Sequence, residues 1–141
     1  MKIIQETLMI DTCPLGQGMH NISAHIESIV GKSQIETGRC DVFVQHTSCS
    51  LVIQENACPA ARTDLESWIA KIAPEGDPYY QHTQEGPDDM PAHLRSAITS
   101  TSESIPISQG HLALGTWQGL YLWEHRHRGS RRRLVVTIIG A

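Results

Sequence analysis

Three polar segments, far apart along the chain, carry the residue types that could perform proton-transfer, metal or anion chemistry. The first comprises residues 45–50 (QHTSCS), which bring together an imidazole, three hydroxyls and a thiol. Hydroxyls and exposed backbone N–H groups can hold phosphate or carboxylate oxygens, and His46 can transfer a proton near neutral pH. The alternative interpretation is that Thr47, Ser48 and Ser50 satisfy only local backbone groups.

Two features lie within or next to that segment. Cys49 lies three residues after His46. A Cys–His nucleophile depends on approach in space rather than on sequence spacing, so a small buried thiol is the favoured interpretation. Glu55 and Asn56 follow, and they either add a carboxylate and an amide to the same region or cap the next helix.

The second segment, residues 86–93 (GPDDMPAH), places paired acids before a predicted helix. Asp89 and His93 are four residues apart and would share one face of that helix. A carboxylate and an imidazole at this spacing suit a divalent metal or an acid–base pair, and His82 lies nearby in the chain. The alternative is that the acids interact with the helix dipole and that His93 is an ordinary surface residue.

The third segment, residues 115–126 (GTWQGLYLWEHR), combines glycines with aromatic and charged residues. Gly115 and Gly119 bracket Trp117 and Gln118. The backbone there is therefore expected to bend, or to be approached closely by a ligand or another chain.

The end of this third segment carries candidates for anion and proton chemistry. Arg126 can bind a phosphate or carboxylate with two parallel hydrogen bonds, and His125 can supply a metal ligand or a proton. Because side chains alternate along a strand, His125 would face away from Glu124 and Arg126. A bulge or a strand end is required if all three are to converge.

The elements that must position these segments follow from the hydrophobic pattern. Helices are predicted from Ile22 to near Gly31 with Asn21 as cap, from near Pro59 to before Pro74, and around Pro91. Strands are predicted at 2–10, 40–45, 51–54, 104–107, 111–115, 119–126 and 131–139, with a long irregular loop over 75–89. The order of elements predicts a single α+β domain over residues 1–141, with a mainly antiparallel β-sheet and about three helices.

Composition narrows the classes of partner. The net charge of −4 over 141 residues argues against nucleic-acid binding, although five of the eleven basic residues lie between Arg126 and Arg133. That basic run is either a solvated turn or a local anion site. No apolar run approaches the roughly 20 residues of a membrane helix, no leader pattern is present, and the four cysteines form no C-x-x-C pair. We therefore expect a cytoplasmic protein that does not bind membranes.

The three segments together resemble the YjbQ-like family of secondary thiamine-phosphate synthase enzymes, over essentially the whole chain. Four motifs in the expected order carry this resemblance: HTSCSL at 46–51, ENACP at 55–59, DDMPAHL at 88–94 and GTWQGLYLWEHR at 115–126. One departure is Cys58, which stands where the family commonly has an Asp and removes a carboxylate beside the second helix.

The resemblance implies an α+β fold and a homotrimer with sites near subunit interfaces. As activity it implies the joining of a hydroxymethylpyrimidine diphosphate to a thiazole phosphate with release of pyrophosphate. The catalytic residues it implies are His46, Asp89, His93, Glu124, His125 and Arg126. The substrate-binding residues it implies are Thr47, Ser48, Ser50, Glu55, Asn56, Trp117 and Gln118.

A divalent metal is the expected cofactor, with His46, His93 and His125 as candidate ligands. Three histidines with an acid fit zinc better than the magnesium that usually assists a departing pyrophosphate. Two other functions therefore stay open. One is a metal-dependent hydrolase or lyase of unknown substrate, and the other is a non-catalytic trimer that binds a small anion. In each case the partner is a small phosphorylated or anionic molecule.

Overall fold

Two antiparallel sheets and three helices form the framework in a computed structural model that describes residues 1–141. The strands are β1 Lys2–Asp11, β2 Gly18–Asn21, β3 Thr37–Val44, β4 Cys49–Glu55, β5 Ser102–Ser108, β6 His111–Leu112, β7 Gln118–Glu124 and β8 Arg131–Gly140. The helices are α1 Ser23–Ser33, α2 Pro59–Ile72 and α3 Asp89–Ile98. None of them is both long and apolar enough to cross a bilayer. The predicted α+β class, with a mainly antiparallel sheet and three helices, is confirmed.

The main core lies between the inner faces of the two sheets. One sheet has the strand order β1-β8-β3-β5-β6 and the other the order β2-β7-β4. Along β8, Leu134, Val136 and Ile138 point inward and are fully buried, as the two-residue period of a strand requires. The apolar face of α1, including Ile26 and Val30, packs into the same core.

The pairing of β4 with β7 positions most of the predicted site residues. Its register runs from Cys49 opposite Glu124 at one end to Glu55 opposite Gln118 at the other. Six residue steps at about 3.4 Å each separate the two ends by about 20 Å. Within one chain, the residues at these two ends cannot meet around one small ligand.

Two strand predictions are wrong at the level of single elements. β2 was not predicted as a strand, because its four residues (GMHN) are too few to show alternation, yet it pairs with β7 at the sheet edge. The strand predicted over 111–115 ends at Leu112. The next pair would join Ala113 to Pro106, and although Ala113 donates to the Pro106 carbonyl, Pro106 has no N–H to return the bond.

The predicted helix ends also shift by a few residues. Asn21 is not the capping residue, since Ile22 occupies that position, but the Asn21 Oδ1 accepts the Ser23 N–H at 3.0 Å. α1 continues to Ser33 rather than ending near Gly31, because its C-cap Gln34 adopts the left-handed conformation with φ 59°. These shifts leave the predicted order of helices intact.

Candidate metal centre

A compact cluster of ligand-type side chains joins the long loop to the first turns of α3. His82, Asp89 and His93 each offer one ligand atom, and these three atoms lie within 4.8 Å of one another. The Asp89 Oδ2 is 2.6 Å from the His82 Nε2 and 3.2 Å from the His93 Nε2. The predicted four-residue spacing of Asp89 and His93 thus places both on one face of α3, and the loop brings His82 to them.

Arg126 holds the other oxygen of the Asp89 carboxylate. Its Nη1 donates to the Asp89 Oδ1 at 2.7 Å, and its Nε donates to the Asp88 Oδ2 at 3.0 Å. Its Nη2 donates to the Glu85 carbonyl at 2.8 Å. The guanidinium is therefore shared between two carboxylates and a carbonyl, so its contacts position Asp89 rather than an external anion.

The hydrogen bond made by the other ring nitrogen of His93 fixes its tautomer. The Nδ1 lies 3.1 Å from the Thr47 carbonyl oxygen, which can only accept, so Nδ1 carries a proton and donates it. In the neutral ring the Nε2 then presents a lone pair toward the Asp89 Oδ2. Two lone pairs facing each other at 3.2 Å repel, so this pair requires a proton or a metal ion between or beside them.

Asp89 is held as a carboxylate although it is almost fully buried. Burial by itself raises its pKa, but the His82 hydrogen bond and the neighbouring His93 and Arg126 side chains together outweigh that effect, and the pKa falls below its usual value. The pKa of Asp88 is lowered in the same way, since Arg126 and the His127 N–H outweigh burial. Both acids are ionised at neutral pH and available as anionic ligands or supports.

A second charged group lies behind this cluster, inside the core. Glu124, at the end of β7, is fully buried, and its Oε1 accepts the Arg132 Nε at 2.8 Å. The Thr12 hydroxyl donates to the same oxygen at 2.6 Å, and the Arg126 N–H donates to the Oε2 at 3.2 Å. Both carboxylate oxygens accept hydrogen bonds from inside the protein, so Glu124 connects the end of β7 to β8 and to Thr12, the residue after β1, and offers no free oxygen to the cluster.

His46 lies close to His93 but outside the cluster. Its Nε2 accepts the Arg133 backbone N–H at 2.8 Å. Burial, and then the positive charge of Arg132, lower its pKa, so the ring is neutral. His46 and His93 both line an open cavity of about 300 Å³, together with Thr47 and one face of α3.

His125 is buried on the opposite face of β7 from Glu124, as the alternation predicted. Its Nε2 is 2.8 Å from the Ser50 hydroxyl, while its Nδ1 is buried without a hydrogen-bond partner. Burial lowers its pKa to about 3, helped by the positive charges of Arg95 and Arg132. His125 is therefore a neutral core residue, and it does not reach the cluster.

The residues predicted as one site therefore divide into those at or near the cluster and those at the far end of the β4–β7 pairing. Of the predicted metal set His46, His93 and His125, the structure brings only His93 to the cluster. Thr47 takes part through its carbonyl, which accepts from His93. The Ser48 carbonyl accepts the His125 N–H at 3.2 Å, so Ser48 contacts His125 and not the cluster.

Glu55, Asn56, Trp117 and Gln118 lie at the far end of the β4–β7 pairing. The Asn56 Nδ2 donates to the carbonyls of Thr116 and Gln118, both at 3.1 Å. The Gln118 Oε1 accepts the Gly115 N–H at 2.8 Å, which bends the backbone as the glycines predicted. Trp117 is 65% exposed. In a single chain these residues stabilise the loop before β7 and do not contact the cluster.

Sequence reasoning left out Arg132, the partner of Glu124, and gave His82 no role as a ligand. Arg132 carried a usable signal, because it alternates in phase with the buried Leu134, Val136 and Ile138, and a charge on that face needs a partner. His82 carried a weaker one, since a histidine in an irregular loop can lie anywhere within reach of the loop.

Comparison with known proteins places this chain in a family. The family model described as UPF0047 protein YjbQ-like matches residues 6–141. The chain is 52% identical to the UPF0047 protein sll1880 of Synechocystis over 96% of its own length and 91% of that protein. It is 39% identical to the UPF0047 protein YjbQ of Salmonella typhimurium, covering 96% and 97% of the two chains.

Solved structures agree in fold. A YbjQ-like protein of unknown function from Sulfolobus solfataricus superposes with a TM-score of 0.88 at 26% identity, over 99% of both chains. The conserved hypothetical protein TT1486 from Thermus thermophilus gives 0.78 at 32% identity, over 92% of this chain and 97% of that one. Because the family model matches nearly the whole length of the chain, this chain belongs to the UPF0047 family of YjbQ-like proteins.

Proposed function

We propose that this protein is a metal-dependent enzyme whose reaction takes place at the His82–Asp89–His93 cluster, on a small phosphorylated or otherwise anionic substrate. The observation that carries the proposal is the orientation of His93. Its Nδ1 is committed to the Thr47 carbonyl, so the Nε2 lone pair is aimed at the group that His82 and Asp89 also face. A carbonyl that fixes the tautomer of a histidine ligand is a regular feature of protein metal sites.

The donor set favours zinc or a related transition metal over magnesium. Two imidazole nitrogens and one carboxylate oxygen suit zinc or iron, whereas magnesium prefers oxygen ligands alone. A metal held by three protein ligands would act as a Lewis acid and would activate water for hydrolysis. His82 is half-exposed, so a substrate can reach the cluster from solvent.

Arg126 and Asp88 support the cluster from within the chain. Because Arg126 donates to both Asp88 and Asp89, it fixes the carboxylate and keeps it ionised. Such a fixed support holds ligand geometry within the tolerance that catalysis requires.

Thiamine-phosphate synthesis is the narrower form of this proposal. It rests on the motifs shared with the YjbQ-like family and requires that the centre stabilise a departing pyrophosphate. Purified protein would be assayed with hydroxymethylpyrimidine diphosphate and thiazole phosphate, together with His93→Ala and Arg126→Ala variants. Product formation that falls at least about tenfold in both variants supports it. Equal rates in all three proteins would contradict the assigned site.

The assembly and location that accompany this proposal are a cytoplasmic homotrimer. All four cysteines are free thiols, which suits a reducing compartment. The outward face of the larger sheet exposes apolar side chains that a second subunit could cover, including Ile3 at 71% and Phe43 at 47% exposure. The mass in solution by light scattering tests the trimer, and a monomer at micromolar concentration would contradict it.

The metal is the first thing to measure. Freshly purified protein, never exposed to a chelator, would be analysed by elemental mass spectrometry beside Asp89→Asn, His93→Ala and His111→Ala. We expect about one zinc or iron per chain in the wild type, near-complete loss in the first two variants, and full retention in the third. His111 is the matched control, because it is an exposed histidine that pairs only with Glu27.

Two outcomes would overturn the proposal. The first is a wild-type protein that has no metal and takes up none from stoichiometric Zn²⁺ or Fe²⁺. The second is a metal content that Asp89→Asn and His93→Ala leave unchanged. If instead the metal is present and a broad panel of phosphorylated compounds binds without turnover, the non-catalytic anion-binding function replaces the enzyme.

A further inference from the structure

The basic run from Arg126 to Arg133 splits into neutralised and free charges. Arg126 and Arg132 are paired with carboxylates inside the protein. Arg128, in the turn before β8, is exposed and forms no ion pair. Arg131 and Arg133, on β8, are also exposed, and neither lies within 4.0 Å of a carboxylate oxygen in any ion pair of the structure. The anion-binding capacity that the sequence assigned to Arg126 is therefore available at these two residues instead.

Arg131 and Arg133 project from the same face of β8 and line one cavity. They are two residues apart on one strand, so their Cα atoms are about 7 Å apart and their side chains can converge on one small group. The cavity has a volume of about 420 Å³ and is also lined by Met9, Gln45 and His46. It thus offers two guanidinium groups and an amide to one ligand.

The acid across the β1–β8 pairing offsets only part of the charge of Arg131. Asp11 lies opposite Arg131 across the β1–β8 pairing. Its Oδ1 accepts the Cys13 N–H at 2.9 Å, and that backbone bond is the main reason why its pKa is lowered, while the charge of Arg131 lowers it by a smaller amount. Asp11 therefore faces its own turn, and the charge of Arg133 has no acid opposite, since its partner on β1 is Met9.

His46 forms a wall shared by this cavity and the cavity that contains His93. It lines the first with Arg131 and Arg133 and the second with His93 and Thr47. Its Nε2 is fixed by the Arg133 backbone N–H, so the ring holds its place between the two cavities. A ligand that lies along His46 would have the two arginines at one end and the ring of His93, one of the three cluster residues, at the other.

We propose that Arg131 and Arg133 bind the phosphate group of the substrate whose reacting part lies at the His82–Asp89–His93 cluster. The inference rests on the proposed function, because it assigns the anionic end of the same substrate. Phosphate is favoured because the donors of two arginine forks can surround a tetrahedral dianion, and arginine binds phosphate oxygens in parallel pairs.

Calorimetric titration with inorganic phosphate, at constant ionic strength in a chloride buffer, tests the proposal. The proteins compared are wild type, the double variant Arg131→Gln/Arg133→Gln, and Arg39→Gln. Arg39 is the matched control, because it is an exposed arginine on the same sheet that pairs with Asp41. We expect phosphate affinity to fall at least about tenfold in the double variant and to be unchanged in the control.

The outcomes separate this inference from the metal proposal. The double variant should keep its full metal content, and chelator-treated wild type should still bind phosphate. Wild type that binds no phosphate at millimolar concentration, a double variant that binds it equally well, or malonate that binds as tightly as phosphate would each overturn the phosphate site. None of these three results would change the interpretation of the metal measurement, which depends on the Asp89→Asn and His93→Ala variants.

Discussion

The two ends of the β4–β7 pairing carry similar residue types but differ in environment. At the histidine end, defined by Cys49 opposite Glu124, carboxylates and cations are buried against one another. At the tryptophan end, defined by Glu55 opposite Gln118, amide groups donate to exposed backbone carbonyls, and Trp117 lies largely in solvent. Ion pairs between buried side chains hold the first end together, whereas hydrogen bonds to exposed backbone groups hold the second.

This difference is the physical reason why the proposed function places the reaction at the histidine end. Charges in a dry environment interact strongly, hold their geometry and shift pKa values, whereas exposed amide contacts exchange readily with water. The cost is that the histidine end depends on every charged partner being present. Substitutions at the two ends should therefore differ in size as well as in kind.

The largest contrast is expected for Glu124→Gln at the histidine end. The amide cannot accept from both Arg132 nitrogens and the Thr12 hydroxyl as the carboxylate does, so a buried guanidinium loses its counter-charge. We expect a loss of about 3–5 kcal/mol in the free energy of unfolding, measured by urea denaturation.

The matched change at the tryptophan end is Glu55→Gln, which also converts a carboxylate to an amide. Glu55 accepts only the Ala57 N–H through its side chain, so its unfolding free energy should shift by less than about 0.5 kcal/mol. Equal losses in the two variants would break the comparison. A double variant that replaces both Glu124 and Arg132 with apolar residues should recover part of the loss.

The second prediction concerns pH and His125. Its pKa is about 3 in the folded chain, because of burial, and 6.5 is its ordinary value. Below pH 6.5 the unfolded chain binds a proton that the folded chain does not. The free energy of unfolding therefore decreases as the pH is lowered from 6.5 to about 3. The expected loss attributable to His125 between its ordinary pKa and about pH 4.5 is about 2 kcal/mol.

His125→Gln should reduce that slope in urea titrations across the same pH range. It should not abolish the slope, because burial lowers the pKa of His46 as well. A parallel series on Asn56→Ala should keep the wild-type slope, since no titrating group is removed. A slope that His125→Gln leaves unchanged would show that the ring is not buried in its neutral form.

Local pattern predicted much of this arrangement, and long-range contacts supplied the rest. Alternation along β7 correctly separated His125 from Glu124, and helical spacing correctly joined Asp89 to His93. The sequence could not show that Arg132 pairs with Glu124 or that Arg126 is neutralised by Asp88 and Asp89, because those contacts depend on how β7, β8 and α3 pack. His82, a ligand in the proposed metal centre, lies in a loop, where no periodicity constrains its position.

A smaller effect is expected for Asn56→Ala at the tryptophan end. The variant removes two hydrogen bonds to the carbonyls of Thr116 and Gln118, which water can partly replace because the site is exposed. We expect a loss of about 1 kcal/mol in the free energy of unfolding and an unchanged metal content. A loss of metal in this variant would show that the two ends are coupled.

The smallest effect on stability is expected for Trp117→Ala. With 65% of its surface exposed, the side chain buries little apolar area, so the free energy of unfolding should change by less than about 0.5 kcal/mol. Metal content and turnover should also match the wild type, because Trp117 lies beyond the far end of the β4–β7 pairing, which is about 20 Å long. A raised KM with unchanged metal content and stability would contradict the conclusion that only the histidine end takes part in the reaction. It would support the substrate-binding role that the sequence predicted for Trp117 and Gln118, and it would require the tryptophan end of one subunit to lie against the histidine end of another.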